Sequence, residues 1–428
     1  MPEIHSLRAR SRCAHFVPIL ALAVASAASA QVRAPLTMDA AVSAAEQNSP
    51  RIAAQRAAVD AAGAVVDRAG ALPDPRLRFG IDNLPITGAE AWRYNADSMT
   101  MRRIGVMQEF PSGDKRERRA ERAAAERQFE QASLVADRAK LRRDVGVAWF
   151  EYFHAEQSRQ VLVDLDKTYA LERDTVNAAV AGGRASPAEA YAVRGAIEMA
   201  RDRLVEQERM VARFRIALAS FIGRDEAERP IGAAPDTSKL PLPRERLLAE
   251  LEAHPALRPF NEREALAQAD VKLAEASKKP DWAVELLYGQ REPNYSNMIT
   301  LMVSVDLPVF QSGRQDRDVA QRIAQVDQAR AQLEQARREY ESQVRTYVLD
   351  WEVAQSRVER FEKSIIPLAR ERVDASMAAY KGGTGTLAMV LEAQRALAEA
   401  NLGRHNALLE RGKAWSNLNY LLLPESTS

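Results

Sequence analysis

Residues 319–340, VAQRIAQVDQARAQLEQARREY, open the longest regular stretch of the chain, which continues to Ala375. Within it, side chains that are mostly apolar recur at every seventh position: Val319, Val326, Leu333, Tyr340, Tyr347, Ala354, Phe361, Leu368 and Ala375. A seven-residue repeat sustained over this length predicts a helix that packs along neighbouring helices as in a coiled coil. From Ser312 to Gly382 such a helix would be about 105 Å long, and Ile366-Pro367 predicts a kink or break within it.

The first half of the chain repeats this pattern. Its seven-residue positions are Leu134, Leu141, Ala148, Ala155, Leu162, Tyr169, Val176 and Gly183. The glycine pairs that end the two runs, Gly182-Gly183 and Gly382-Gly383, lie 200 residues apart, and the pairs Pro73-Asp74 and Pro280-Asp281 lie 207 apart. One structural unit of about 200 residues therefore occurs twice.

These markers divide the chain into four predicted segments. Residues 1–30 are a signal peptide, 31–222 the first repeat, 223–243 a linker and 244–428 the second repeat. In each repeat we expect a helix, two strands, the long helix, a glycine turn and a return helix. The helix that opens the second repeat is expected to run from Arg244 to Lys279.

Composition excludes several classes of protein. The 60 basic and 59 acidic side chains balance, which argues against a nucleic-acid-binding surface. After the signal peptide, no run of about 18 uncharged apolar residues predicts a transmembrane helix.

The N-terminal segment has the three parts of a secretory signal peptide. Basic residues at Arg8, Arg10 and Arg12 precede an apolar stretch, and Ala28-Ser29-Ala30 supplies small residues for cleavage. The one cysteine, Cys13, lies inside this segment. We therefore expect export from the cytoplasm, no disulfide and no lipid anchor on an N-terminal cysteine.

Four strand-like segments alternate apolar side chains with small or polar ones, two segments in each repeat. Their length and alternation fit the strands of outer-membrane barrels, although alternation alone favours an ordinary antiparallel sheet with one buried face. No other segment of the chain is expected to cover the apolar faces of these strands, which leaves lipid to cover them. The side chains expected to face lipid are Trp282, Val284, Leu286, Leu301 and Val303, whereas Thr300 and Ser304 would face a lumen.

Four strands are too few to close a barrel, since the smallest membrane barrels have about eight and fill their interior with side chains. Two chains would give a plugged barrel and three would give twelve strands around a lumen. The sequence therefore predicts a mostly α-helical fold with a β-barrel part, for which a trimer is the smallest assembly with an open channel.

These features together resemble the TolC family of outer-membrane efflux ducts across the whole chain after the signal peptide. The stretch MTMRRIGVMQEFP at residues 99–111 is similar to the heavy-metal branch of that family. The resemblance implies a passive homotrimeric duct: a 12-stranded transmembrane β-barrel in the outer membrane, continued into the periplasm by a long α-helical coiled-coil barrel. It also implies two partners, a periplasmic adaptor and an inner-membrane pump, here of the resistance-nodulation-division type exporting heavy-metal cations.

The family pattern also places a gate and docking sites at the two glycine turns. Glu189 and Glu392 fall on acidic positions of the pore entrance, whereas Met389 occupies another acidic position and Gly385 stands where a basic latch residue is expected. The turns with Gly182, Gly183, Gly382 and Gly383 would receive the adaptor. Threefold symmetry would turn each glutamate into a carboxylate ring that favours cations, but a carboxylate at a helix start is also favoured by the helix dipole alone.

No residues suggest catalysis, a cofactor or a resident metal. His154, His254 and His405 lack histidine or cysteine neighbours at ligand spacing. Met99, Met101 and Met107 fit a strand wall better than a copper site. No catalytic triad or phosphate-binding loop is present, so we expect no enzyme activity.

The sequence alone is also compatible with other functions. A periplasmic coiled-coil adaptor or structural rod would need the strands to pack as a water-soluble sheet. A duct of the same design could instead serve drug efflux or type I protein secretion, because the cargo is whatever the pump delivers.

Overall fold

The computed structural model describes residues 34–249 and 254–420, so the predicted signal peptide with Cys13 lies outside the described residues. The first repeat comprises α1 (Met38–Asn48), α2 (Pro50–Ala69), β1 (Arg76–Asp82), β2 (Met101–Phe110), α3 (Gly113–Ala181) and α4 (Pro187–Ile222). A short helix, α5 (Arg224–Ala227), lies in the predicted linker.

The second repeat follows the same order. It comprises α6 (Arg244–Ala249), α7 (Arg258–Ala276), β3 (Trp282–Gln290), β4 (Met298–Val305), α8 (Gln315–Arg360), α9 (Ile366–Lys381) and α10 (Leu387–Asn419). The duplicated plan predicted from the sequence is thus present in the fold.

The helix predicted to run unbroken from Arg244 to Lys279 is interrupted, so that prediction was wrong. The chain turns at residues 255–257, and α7 starts afresh with Pro259 in its first turn. Proline restricts the residue before it and cannot donate an N–H inside a helix, so Pro255 and Pro259 favour a new start. Pro50 plays the same role in the first repeat, where Ser49 caps α2.

The long helix α3 holds the two repeats together. Its 69 residues span about 104 Å, and it packs against α2 and α4 of its own repeat and against α7 and α10 of the other. The predicted seven-residue seam is buried from Leu141 to Val176. Ser112 starts the helix by accepting a hydrogen bond from the backbone N–H of Lys115.

A π-helical turn, Phe361–Ile365, separates α8 from α9. The Ile366 N–H bonds to the Phe361 carbonyl five residues back, next to Pro367, which has no N–H to offer. The extra residue in this turn shifts the buried seam. Leu368 and Ala375, predicted to lie on the seam, are exposed, and Ile366 and Ser376 are buried instead.

Two tryptophans fasten the connecting segments to the long helices. Trp149 of α3 is fully buried and donates from Nε1 to the Leu36 carbonyl at 2.9 Å. Leu36 in turn forms a parallel bridge with Ile231 of the linker. Trp351 of α8 likewise donates to the Thr237 carbonyl at 3.0 Å, so the linker between the repeats is fixed at two points.

The four strands form one antiparallel sheet in the order β1-β2-β3-β4. The pair β2–β3 joins the two repeats, with Phe110 opposite Trp282 and Val106 opposite Leu286. Leu286 lies in turn opposite Leu301 of β4. β1 and β4 are the outer strands, and each has one edge without a strand partner among the described residues.

Candidate functional site

The sheet places most of its large apolar side chains on one of its two faces. In an antiparallel sheet, directly opposite residues lie on the same face, so the register assigns each side chain. One face, here called the apolar face, carries Leu77, Phe79, Ile81, Ile104, Val106, Phe110, Trp282, Val284, Leu286, Tyr288, Ile299, Leu301, Val303 and Val305, together with the polar Arg102, Gln108 and Gln290. All five residues predicted to face lipid belong to it.

The apolar face is bare in the single chain. Phe79 is 82% exposed and Leu301 is 68% exposed, and the large side chains between them are mostly exposed as well. Phe110 and Trp282 stack at its helical end with ring centroids 4.3 Å apart. Contiguous apolar surface of this kind marks an interaction or membrane surface.

The opposite, polar face carries ion pairs. Arg78 lies 3.1 Å from Glu285, which is buried, and Arg103 lies 2.6 Å from Asp82. Thr300 and Ser304 lie on this face, opposite Leu287 and Ala283. Met101 and Met107 also belong to it, as the alternation along the strand predicts. The two faces therefore differ as the lipid and lumen sides of a membrane strand differ.

At the far end of the long helices, the two glycine turns have the same backbone. The Arg184 N–H bonds to the Ala179 carbonyl at 2.8 Å, and Gly183 N–H bonds to Val180 at 3.0 Å. This is the Schellman pattern, which needs a left-handed residue, and Gly183 supplies it with φ +68°. Gly383 does the same with φ +75°, so both turns are exposed, tight and dependent on one glycine.

Glu189 is a helix-capping residue in this structure. It stands third in α4, and its carboxylate accepts from the Ser186 N–H at 2.9 Å while Ser186 accepts from Glu189 N–H at 3.4 Å. This reciprocal pair is a capping box. Its counterpart 200 residues later is Met389, at a helix start where Thr386 makes no side-chain cap.

Glu392 lies nearly two turns into α10, away from the helix start. Its carboxylate is 3.0 Å from Arg372 of α9, and both side chains are more than half exposed. Glu392 also lines a groove of about 290 Å³ with Tyr169 and Arg203. An exposed pair of this kind contributes little stability, so the carboxylate is available for another role.

Gly385 leaves no room for a longer side chain. A Cβ added there would lie 2.9 Å from Ala379 Cβ, and the Gly385 N–H bonds to the Ala379 carbonyl. The tight turn accounts for glycine at the position where a basic latch residue was expected. With no basic side chain at position 385, the cation that pairs with Glu392 is Arg372.

Among the described histidines, His154 and His254 are buried and His405 is half-buried. Burial, aided by nearby positive charge, lowers the pKa of His154 to about 3 and that of His405 to about 4. The rings of His154 and His405 lie 6.1 Å apart between α3 and α10, a pairing that the sequence did not indicate. In the described ranges no three His, Cys, Asp or Glu side chains are grouped as metal ligands.

His254 is buried in a different way, because both of its ring nitrogens have partners. Nδ1 accepts from the Ala256 N–H at 2.9 Å, and Nε2 contacts the Tyr340 hydroxyl. Burial lowers the pKa of His254 to about 3 and raises that of Tyr340.

A membrane span requires both sufficient length and sufficient apolar content, and none of the helices of the described residues meets both requirements.

Residues 248–422 match the family described as Outer membrane efflux protein. Over 91% of this chain and 90% of its own length, the cobalt-zinc-cadmium resistance protein CzcC of Cupriavidus metallidurans is 23% identical. The family model covers the second repeat, and CzcC extends the likeness to the first.

Solved structures of outer membrane and channel proteins share the fold. The outer membrane protein VceC of Vibrio cholerae has a TM-score of 0.72 at 17% identity, covering 90% of this chain and 95% of its own. A structure of CusC has a TM-score of 0.74 at 17% identity, covering 91% and 92%. The resemblance to outer-membrane efflux ducts drawn from the sequence agrees with the family match, the relative and the solved structures.

Proposed function

We propose that this protein is the homotrimeric exit duct of a tripartite efflux pump, placed in the outer membrane with its long helices in the periplasm. The carrying observation is the four-stranded sheet with one bare apolar face and two outer edges that pair with no strand among the described residues. Lipid covers the apolar face, and strands of other copies supply hydrogen-bond partners for the backbone groups of the outer edges.

The free edges set the number of copies. β4 of one copy pairs with β1 of the next, and three copies give twelve strands around an open lumen. The polar face with the Arg78–Glu285 and Arg103–Asp82 pairs then lines that lumen. Passage is passive, and the energy comes from an inner-membrane pump.

The cargo we propose is heavy-metal cations delivered by a pump of the resistance-nodulation-division type. The support is the CzcC relative, whose name states cobalt, zinc and cadmium resistance, together with acidic residues near the turns. Rings of Glu189 and Glu392 would attract cations at the periplasmic entrance. The exposed turns with Gly182, Gly183, Gly382 and Gly383 are the proposed docking points of the periplasmic adaptor.

Neighbouring residues on β4 provide a matched test of the membrane placement. Val303 lies on the apolar face and Ser304 on the polar face. Val303→Arg should destabilise the inserted barrel by about 2–4 kcal/mol if Val303 lies near the midplane. Ser304→Arg should leave assembly intact and change the single-channel conductance.

The readouts are the trimer level in outer-membrane fractions, the native mass in detergent and planar-bilayer conductance. Equal tolerance of both substitutions would contradict the assignment of the faces. A wild-type protein that leaves the cell with the soluble periplasm, as a monomer, would favour a structural rod instead of a duct.

A further inference from the structure

One ion pair joins the two repeats where the sheet meets the helices. Asp281, just after α7, accepts from the Ser112 N–H at 3.0 Å and from Lys115 Nζ at 2.7 Å. Lys115 is only 8% exposed. A carboxylate of the second repeat is therefore held by the start of α3 in the first repeat.

The sequence duplication supplies a counterpart for each half of this contact. Pro73-Asp74 corresponds to Pro280-Asp281, and Ser312-Gly313 at the start of α8 corresponds to Ser112-Gly113. Asp74 belongs to the β1 edge of the sheet and α8 follows the β4 edge, so the two lie at opposite ends of the strand order. Within one chain the counterpart contact is not made.

Asp74 has no partner among the described residues. Its carboxylate is exposed, whereas Asp281 is engaged by two donors. The difference arises from position and not from residue type, because both aspartates follow a proline after a helix and precede a strand.

The start of α8 is also incomplete. A cavity of about 400 Å³ is lined by Arg314, Gln315 and Phe310 among others. Gln315, the counterpart of Lys115, has a buried Oε1 with no hydrogen-bond partner. A buried amide group without a partner costs free energy, which a ligand in the cavity would recover.

The charges of this cavity favour a carboxylate at Arg314. Lys115 and Lys279 also line it, but they are held by Asp281 and Asp114. Among the described residues no carboxylate lies within ion-pair distance of Arg314, although Asp306 shares the cavity. Arg314 thus carries the positive charge that Lys115 carries in the other repeat, one position earlier in the helix start.

We propose that Asp74 of a second copy of this chain docks at Arg314 and Gln315. The contact repeats the Asp281–Lys115 arrangement between chains, with Arg314 as the cation. The Gln315 side-chain amide is the hydrogen-bond donor, because its oxygen and nitrogen can exchange places by a flip of the amide. Its location rests on the trimer proposed above. Each copy would give one carboxylate and receive one, so three such contacts close the ring.

Charge reversal tests this contact. Asp74→Arg and Arg314→Asp each place like charges together, so each should raise the monomer fraction several-fold and lower the temperature at which the trimer dissociates in SDS. The double variant restores opposite charges and should recover most of the wild-type trimer. Asp202→Arg, on the exposed surface of α4, is the matched control and should behave like wild type.

Two results would overturn the proposal: single variants indistinguishable from Asp202→Arg, or a double variant at least as monomeric as the effects of the two single changes combined. Circular dichroism of the single variants should match wild type, because both side chains are exposed in the isolated chain. A wild-type protein without any trimer would instead refute the proposed function, which separates the two failures.

Discussion

Acidification should weaken the packing of the helices through two buried histidines. The pKa of His154 and of His254 falls from 6.5 to about 3 on folding, mainly because burial disfavours the charged ring. Between pH 6.5 and 3 the unfolded chain binds a proton at each ring that the folded chain does not. The free energy of unfolding therefore falls as the pH falls through this window.

The slope is at most about 1.4 kcal/mol per pH unit for each histidine, which gives about 2 kcal/mol each between pH 7 and pH 5. His405, whose pKa falls only to about 4 and which is less buried, adds a smaller share. The low pKa of His154 includes smaller contributions from the nearby His405, Arg411 and Arg404. The assay is urea unfolding of the helices in detergent, followed by circular dichroism at pH 7, 6 and 5.

Substitution separates titration from packing. His154→Gln and His254→Gln should each lower the free energy of unfolding at pH 7, because each disturbs a packed site. Each should also reduce the slope of that free energy against pH, by at most the contribution of one bound proton. The double variant should be flatter still. Wild-type stability that is constant from pH 7 to pH 5, or unchanged slopes in both variants, would refute the reasoning.

Glu392→Gln should lower cation preference and weaken block by divalent cations in planar bilayers with little change in trimer yield, and unchanged selectivity would make Glu392 an ordinary surface residue. Glu189→Gln should act in the same direction but more weakly, because glutamine preserves the capping box. Gly183→Val forces a β-branched residue into a left-handed turn at a local cost of about 1–2 kcal/mol, so metal resistance should fall while the trimer level stays normal; loss of the trimer would assign the glycine to folding alone. Gly412→Ala puts a Cβ 2.6 Å from an aromatic ring of α3 and should lower unfolding stability by about 1–3 kcal/mol. Gly195→Ala, which meets nothing within 4 Å, should be neutral or stabilising by up to about 1 kcal/mol, and equal losses in both would contradict the packing argument.

Local patterns predicted most of this fold. Seven-residue spacing located α3 and α8, alternation located the four strands, and the paired glycine turns revealed the duplication. These signals are readable because helix and strand periods are properties of short segments. The break at Pro255 lies between two helical segments, so the helical pattern predicted one helix where the structure has two.

Contacts between distant residues were not predictable. His154 and His405 lie 251 positions apart in the sequence, and Asp281 reaches Lys115 across the repeat boundary. Such pairs depend on how helices cross, which spacing alone does not fix. The change of buried positions after Phe361 was not predictable either, because a single extra residue in a π turn produces no repeating pattern in the sequence. The capping role of Glu189 is the alternative that the helix dipole suggested from the start.

The bare apolar face has a consequence for how the cell must make this protein. In the proposed outer-membrane placement, each newly exported chain carries Phe79, Ile299 and Leu301 through the aqueous periplasm, where they are exposed in the single chain. Two strand edges without a partner among the described residues accompany them, so each chain is a template for mispairing with any other unfolded strand. In that proposal, folding, association of three chains and insertion into lipid are one coupled event, and depletion of periplasmic chaperones should reduce the strand content before the helix content.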